Sequence, residues 1–318
     1  MTHVPHDPAG APSPEAAALA DPAAAMEGGA APLPRTRLSR TARAMRSAPP
    51  TAIFGMAVIA IYCIVALFAP FLAPYGEAEN AASAYQPWSA EHPLGTDQIG
   101  RDVLTRLIYG ARNTMGIALA TTLLSFLIGG GLGLLAAISR GWTDQILSRF
   151  VDVLMAIPAL IFALMLLSIF GSTVTSLIII IAVLDSTRVF RLTRAVAMGV
   201  VVMDYVEAAR LRGEGLGYVM RREILPNIAP PLVAEFGLRF SFVFLTIAAL
   251  SFLGLGIQPP SADWGTMVRD GASLIQFAPY DLRMGLTPFI PAGAIALLTV
   301  SVNFVVDWLL HRSSGLKE

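Results

Sequence analysis

Two acid–base pairs stand inside segments that are otherwise apolar. Glu235 and Arg239 are four residues apart with the acid first, and Asp185 and Arg188 are three apart. Both spacings place the partners on one helix face, where an ion pair can form. Ionisable groups at membrane depth mark ion or proton pathways when they line a cavity. Asp185 and Glu235 are thus the candidate coupling acids of a gradient-driven carrier, and their arginines equally make each a structural pair. His92, Thr96, Asp97 and Asp102 offer ligand-type side chains, but at a spacing that matches no metal-binding loop. Asp102 reads instead as the start of an amphipathic helix, with Val103, Leu104, Leu107 and Ile108 on one face, lying along the outer membrane surface. Enzyme chemistry finds little material. Cys63 is the single cysteine, and the four histidines show no helical metal-ligand spacing. The one lysine, Lys317, precedes Glu318, whereas a phosphate-binding P-loop needs Lys followed by Ser or Thr after its glycines. The run GGGLGLL from Gly129 is therefore expected to serve close helix packing.

The elements that must position these residues are membrane spans. The 318-residue chain is 55% hydrophobic and 14% charged, with zero net charge and a mean hydropathy of +0.65. That is too little charge to cover a soluble domain. A spanning helix needs about 20 mostly apolar residues. Six segments qualify: Thr51–Ala73, Thr114–Ile138, Val151–Phe170, Ser172–Thr193, Ile228–Leu255 and Thr287–Leu310. With both termini in the cytoplasm, 16 of the 22 basic residues fall inside or at the inner edge and five outside, as the positive-inside rule asks. The fold class is then an all-α polytopic membrane protein with six transmembrane helices. Residues 1–48 form an Ala/Pro-rich cytoplasmic tail, expected to be disordered, that ends in an arginine cluster. Residues 49–112 hold the first span and an extracytoplasmic segment, residues 113–311 the core, and residues 312–318 a cytoplasmic tail.

Between the fourth and fifth spans lies DYVEAARLRGEGLGYVMRREILPN, residues Asp204 to Asn227, which this topology places in the cytoplasm. Asp204 and Glu207 have capping-box spacing, and Gly213 suits a helix C-terminus that needs positive φ. A second short helix is expected from Leu216 to Glu223, ending at Leu225–Pro226, where proline stops a helix or begins the next one. The bland reading is a solvated loop whose arginines meet anionic lipid. The sharper one is a docking element in which Ala208 and Ala209 permit close approach and Glu207 makes a charged contact.

The run EAARLRG, with its later Leu-Pro, resembles the EAA signature of permease subunits of bacterial ABC importers. EHPLGTDQIGRDVLTRLIYGAR (Glu91–Arg112), FRLTRA (Phe190–Ala195) and LSFLGLGIQPPSADWGTMVRDG (Leu250–Gly271) resemble the C-type subunit of the dipeptide, oligopeptide and nickel permease family. The likeness covers roughly residues 50 to 310. It implies a type I ABC importer permease (MetI-like) fold in the bacterial inner membrane. It also implies that Glu207, Ala208, Ala209, Gly213, Leu225 and Pro226 frame a coupling helix docked on a cytoplasmic ATPase. The implied partners are a second homologous permease, two ABC ATPase subunits that hydrolyse the ATP, an extracytoplasmic solute-binding protein and membrane lipid. No cofactor on this chain and no nucleic acid are expected. Peptides, nickel chelates and opines all fit as cargo. Ser241, Thr246 and Ser251 are polar positions on span five that could line the translocation path. Pro259, Pro260 and Trp264 are candidates for an outer gate, with Trp264 equally an interfacial anchor. The rival to the importer is an ion-gradient-driven secondary transporter; no inverted repeat is evident, and such a carrier leaves the cytoplasmic segment unexplained.

Overall fold

A computed structural model describes residues 48–139 and 141–313. The expected disordered tail, apart from Ala48, and the last five residues lie outside the described residues. Helix α1 (Pro50–Leu67) starts with proline at its first position, where the missing N–H costs nothing. Helix α2 (Ala69–Leu72) follows, then an irregular arm through residue 102 whose only bridge joins Thr96 to Asp102. Helix α3 (Val103–Ser139) has 37 residues. At 1.5 Å per residue that is about 55 Å, well beyond a hydrocarbon core of about 30 Å. The separate surface helix expected at Asp102 is thus the first part of α3 itself, continuous with the span. Helix α4 (Gly141–Ala156) and α5 (Ala159–Phe170) meet at an 88° bend. The third span, expected to be straight from Val151, is broken at Ile157–Pro158, where proline lacks the donor a continuous helix requires.

Helix α6 (Val174–Val201) is capped by the Thr173 hydroxyl, which accepts from the Ser176 N–H. It packs along α3 at the glycine run. A side chain on Gly129 would collide with the Ser186 carbonyl, and one on Gly133 with the Phe190 carbonyl. These glycines let two backbones touch. The cytoplasmic segment of the expected topology holds α7 (Asp204–Leu211), α8 (Leu216–Tyr218) and a π-helical turn, Val219–Ile224, that runs directly into α9 (Leu225–Phe252). A short helix α10 (Trp264–Gly271), a 3₁₀ turn (Ala272–Phe277) and α11 (Leu282–Leu286) lead to α12 (Phe289–Ser313). Among the described residues, four helices are apolar and long enough to cross a membrane, and the bent α4–α5 pair makes a fifth candidate. Helix α6 is long enough but carries Asp185, Arg188, Arg191 and Arg194.

The main core gathers Leu177 and Ile181 of α6, Phe244, Ile247 and Leu250 of α9, Trp264 and Leu298. A second core lies under the α7–α8 segment. It joins Leu134, Ala137 and Ile138 of α3 and Ala197 and Val201 of α6 to Val206, Ala209, Val219, Ile224 and Ile228. Arg194 and Asp144 form a two-point ion pair between α6 and α4, and Arg191 meets Asp152 at 2.6 Å alongside.

Candidate functional site

Helix α7 begins after Met203, whose extended backbone makes it the N-cap. Asp204 is the first helical residue rather than the cap, so the expected capping box does not form. Asp204 and Glu207 still sit in the first turn, where the helix dipole favours acids. Val206 and Ala209, three apart, are fully buried in the second core, while Glu207 and Arg210 are exposed. Ala208 is half-buried. The close approach at Ala209 is therefore to the chain's own bundle.

The helix ends in a Schellman motif. Gly213 N–H donates to the Arg210 carbonyl at 2.9 Å and Glu214 N–H to the Ala209 carbonyl at 3.2 Å. Gly213 takes φ +81°, with open space around it. Only glycine holds that conformation without strain. At Leu225–Pro226 the proline begins the next helix, the second of the two expected readings, but the helical backbone does not break before it. The backbone passes through the π turn, and Leu225 and Pro226 become the exposed first residues of α9, where proline is accommodated. Leu211 is 82% exposed, and Leu216 and Tyr218 are exposed beside it. The segment is thus a firmly seated body with an outward face of Glu207, Arg210, Leu211, Leu216, Tyr218 and Leu225.

Within the bundle, the two local ion pairs read from sequence fare differently. Glu235 and Arg239 meet, Oε1 to Nε, at 2.7 Å. Asp185 does not pair with Arg188. It accepts from the Ser125 hydroxyl of α3 at 2.8 Å and lies 3.6 Å from Nη1 of Arg239. The cluster therefore joins α3, α6 and α9, a tertiary arrangement that a local spacing cannot reveal. Arg239 is 9% exposed, and its guanidinium lies over the Phe242 ring. Neither its Nε nor its Nη1 makes an aligned hydrogen bond.

Of the three polar path candidates, Ser241 and Ser251 are buried. Ser251 Oγ accepts the Ile257 N–H. Thr246 is partly exposed, with its hydroxyl turned to the Phe242 carbonyl. Thr246 is thus the only one of the three that reaches the surface. Trp264 is 1% exposed, so it is no interfacial anchor. It donates to the Leu107 carbonyl at 2.9 Å and packs edge-on against Tyr62 and Phe244. Pro259 and Pro260 are exposed and joined by a cis bond.

The arm after α2 and the connection after α9 are tied to α3 by polar groups, of which the sequence singled out only His92 and Asp102. Glu77 Oε1 accepts from Asn113 Nδ2 at 2.7 Å and from the Ala262 N–H at 2.6 Å. Arg106 donates to the carbonyls of Glu77, Pro260 and Ser261. Asp263 caps α10 and accepts from the Thr266 N–H and the hydroxyls of Thr114 and Thr266. Burial pushes its carboxyl above the usual carboxylate range, against those hydrogen bonds. His92 Nδ1 lies 3.0 Å from Asp102 Oδ1, a structural contact that caps the arm onto α3. Among the described residues no His/Cys/Asp/Glu group could hold a metal ion.

An all-helical bundle with several apolar helices long enough to cross a membrane has the make-up of an integral membrane protein. The chain belongs to the family of binding-protein-dependent transport system inner membrane components, matched over residues 129–314. Residues 47–89 match the N-terminal transmembrane domain of oligopeptide transport permease C. It is 34% identical to a dipeptide transport system permease protein of Alkalihalophilus pseudofirmus, over 81% of this chain and 83% of that one. It is 37% identical to a di/tripeptide transport system permease protein of Pseudomonas aeruginosa, over 83% and 89%. A solved structure of the MetNI methionine ABC transporter overlays at a TM-score of 0.48 and 16% identity, covering 64% of this chain and 96% of that one. The family is a transport component and not an enzyme.

Proposed function

We propose that this chain is one of two membrane subunits of an ABC importer for short peptides, coupled to cytoplasmic ATPases through Asp204–Pro226. The observation that carries the reading is the seating of that segment. Its inward face is locked into the bundle by Val206, Ala209, Val219 and Ile224, while its outward face presents Glu207 beside exposed Leu211 and Leu216. Exposed apolar groups rimmed by charge suit a protein partner better than a solvated loop. The backbone then enters the membrane as one continuous helix, so force applied to the outward face reaches the bundle. Peptide cargo follows from the relatives' names, and ATP is hydrolysed by the partner subunits. We further read α6 as a sixth span, its charges taken up by α4, α9 and the inner headgroups, with both termini cytoplasmic. Delivery by a binding protein to the outer face completes the assembly.

The test is co-purification from solubilised membranes. Wild type should bring down an ATPase and a second permease. Glu207→Arg reverses the exposed charge, and Gly213→Pro forbids the positive φ; each should lose the ATPase and keep the second permease. A wild-type chain that purifies alone, with both variants behaving alike, would overturn the coupling role and favour a gradient-driven carrier.

A further inference from the structure

Arg239 lies within ion-pair distance of two acids, yet neither its Nε nor its Nη1 makes an aligned hydrogen bond to them. Its Nε is 2.7 Å from Glu235 on its own helix, but the approach is off-axis for a hydrogen bond. Its Nη1 stands 3.6 Å from Asp185 on α6. Asp185 is itself held to α3 by Ser125. A cluster built only to fasten the bundle would satisfy its buried donors. This one leaves the guanidinium leaning on its own helix, and a small slide of α9 toward α6 would close the second contact. Helix α9 continues without a break from α8 and the π turn, one helical run from Leu216 through Phe252.

We propose that Arg239 is a positioning residue for transport: it passes between Glu235 and Asp185 as α9 moves, and so ties the travel of the coupling segment to the α3–α6 pair. Its two resting places are discrete arrangements of one packed interface, the property that converts a small displacement into a switch. Glu235 parks the charge, Asp185 receives it, and Phe242 beneath the guanidinium provides a surface over which it turns. The inference rests on the importer reading above.

The experiment uses the complete complex reconstituted in proteoliposomes, measuring labelled trialanine imported per ATP hydrolysed. Arg239→Gln and Asp185→Asn should each lower that ratio about tenfold while hydrolysis continues. The double variant should be no worse than either single one. Arg239→Lys should recover part of the ratio, since the charge remains without the planar fork. Glu235→Gln should lower it least. Asp185→Asn keeps its shape and its bond from Ser125, so it carries the test alone if Arg239→Gln fails to assemble. Wild-type ratios in Asp185→Asn and Arg239→Gln, or additive losses in the double variant, would overturn the proposal. A wild-type complex without ATP-dependent trialanine uptake would overturn the import reading, and this inference with it.

Discussion

Single residues set how closely this bundle can pack and how it answers to pH. Gly129 sits where any side chain meets the backbone of α6. Gly129→Leu should therefore cost about 1–3 kcal/mol by overpacking, read as a lower thermal midpoint in detergent. An unchanged midpoint would mean that the α3–α6 contact is not as tight as described. Gly131, two positions on, has open space around it, and Gly131→Leu is the control expected to change little. Asp263 carries the pH prediction, because its folded pKa is raised by burial. A carboxyl raised in this way adds stability that is fully present below its unfolded pKa and is lost as pH climbs through the folded value. Asp263→Asn removes that titration. The midpoint of wild type relative to the Asn variant should fall as pH rises from the ordinary carboxylate range upward, and a constant difference would count against it.

At the scale of elements, polar ties of similar appearance should differ greatly in worth. Arg191 and Asp152 are both about half exposed, so Asp152→Asn should cost less than about 1 kcal/mol. Glu77 holds the Ala262 N–H and the Asn113 amide at once, joining the outer arm to α3 and the loop before α10. Glu77→Ala should cost about 1–3 kcal/mol, because donors lose their acceptor. Chemical unfolding of the two variants side by side checks the order, and equal losses would sink it. Four of the six expected spans were legible in the sequence because hydropathy is a local sum, and Gly213 because a helix end needs positive φ. The break at Pro158 was not, since proline stands there between two equally apolar halves and hydropathy reads straight through it. The true partner of Asp185 was hidden because Arg239 is far away along the chain. Ala209 has the same side chain whether it faces a partner or its own bundle, and only packing tells the two apart.

For the whole molecule, the surface is its own evidence of where it lives. Large apolar side chains such as Ile61, Leu67, Leu127 and Val233 stand exposed on helices long enough to cross a membrane, a surface suited to lipid or to another subunit. Trp142 is 81% exposed and Trp264 is 1% exposed. In nanodiscs made with brominated lipid, a variant keeping only Trp142 should be quenched strongly and one keeping only Trp264 weakly. Equal quenching would mean that the core around Trp264 opens to lipid. On the proposed topology, which puts both termini in the cytoplasm, alkaline phosphatase fused after residue 318 should stay inactive, and an active fusion would reverse it.

The π turn at Val219–Ile224 also fixes an angle. A helix rotates about 100° per residue, so the turn's residue count indexes the outward face of α7 and α8 against the faces of α9. Removing one residue there would swing the outward face of α7 and α8 by roughly a quarter of a circle relative to Arg239 and Thr246, with every side chain of that face still present. Chimeras that exchange the cytoplasmic segment between permeases must therefore conserve this count before they conserve its chemistry.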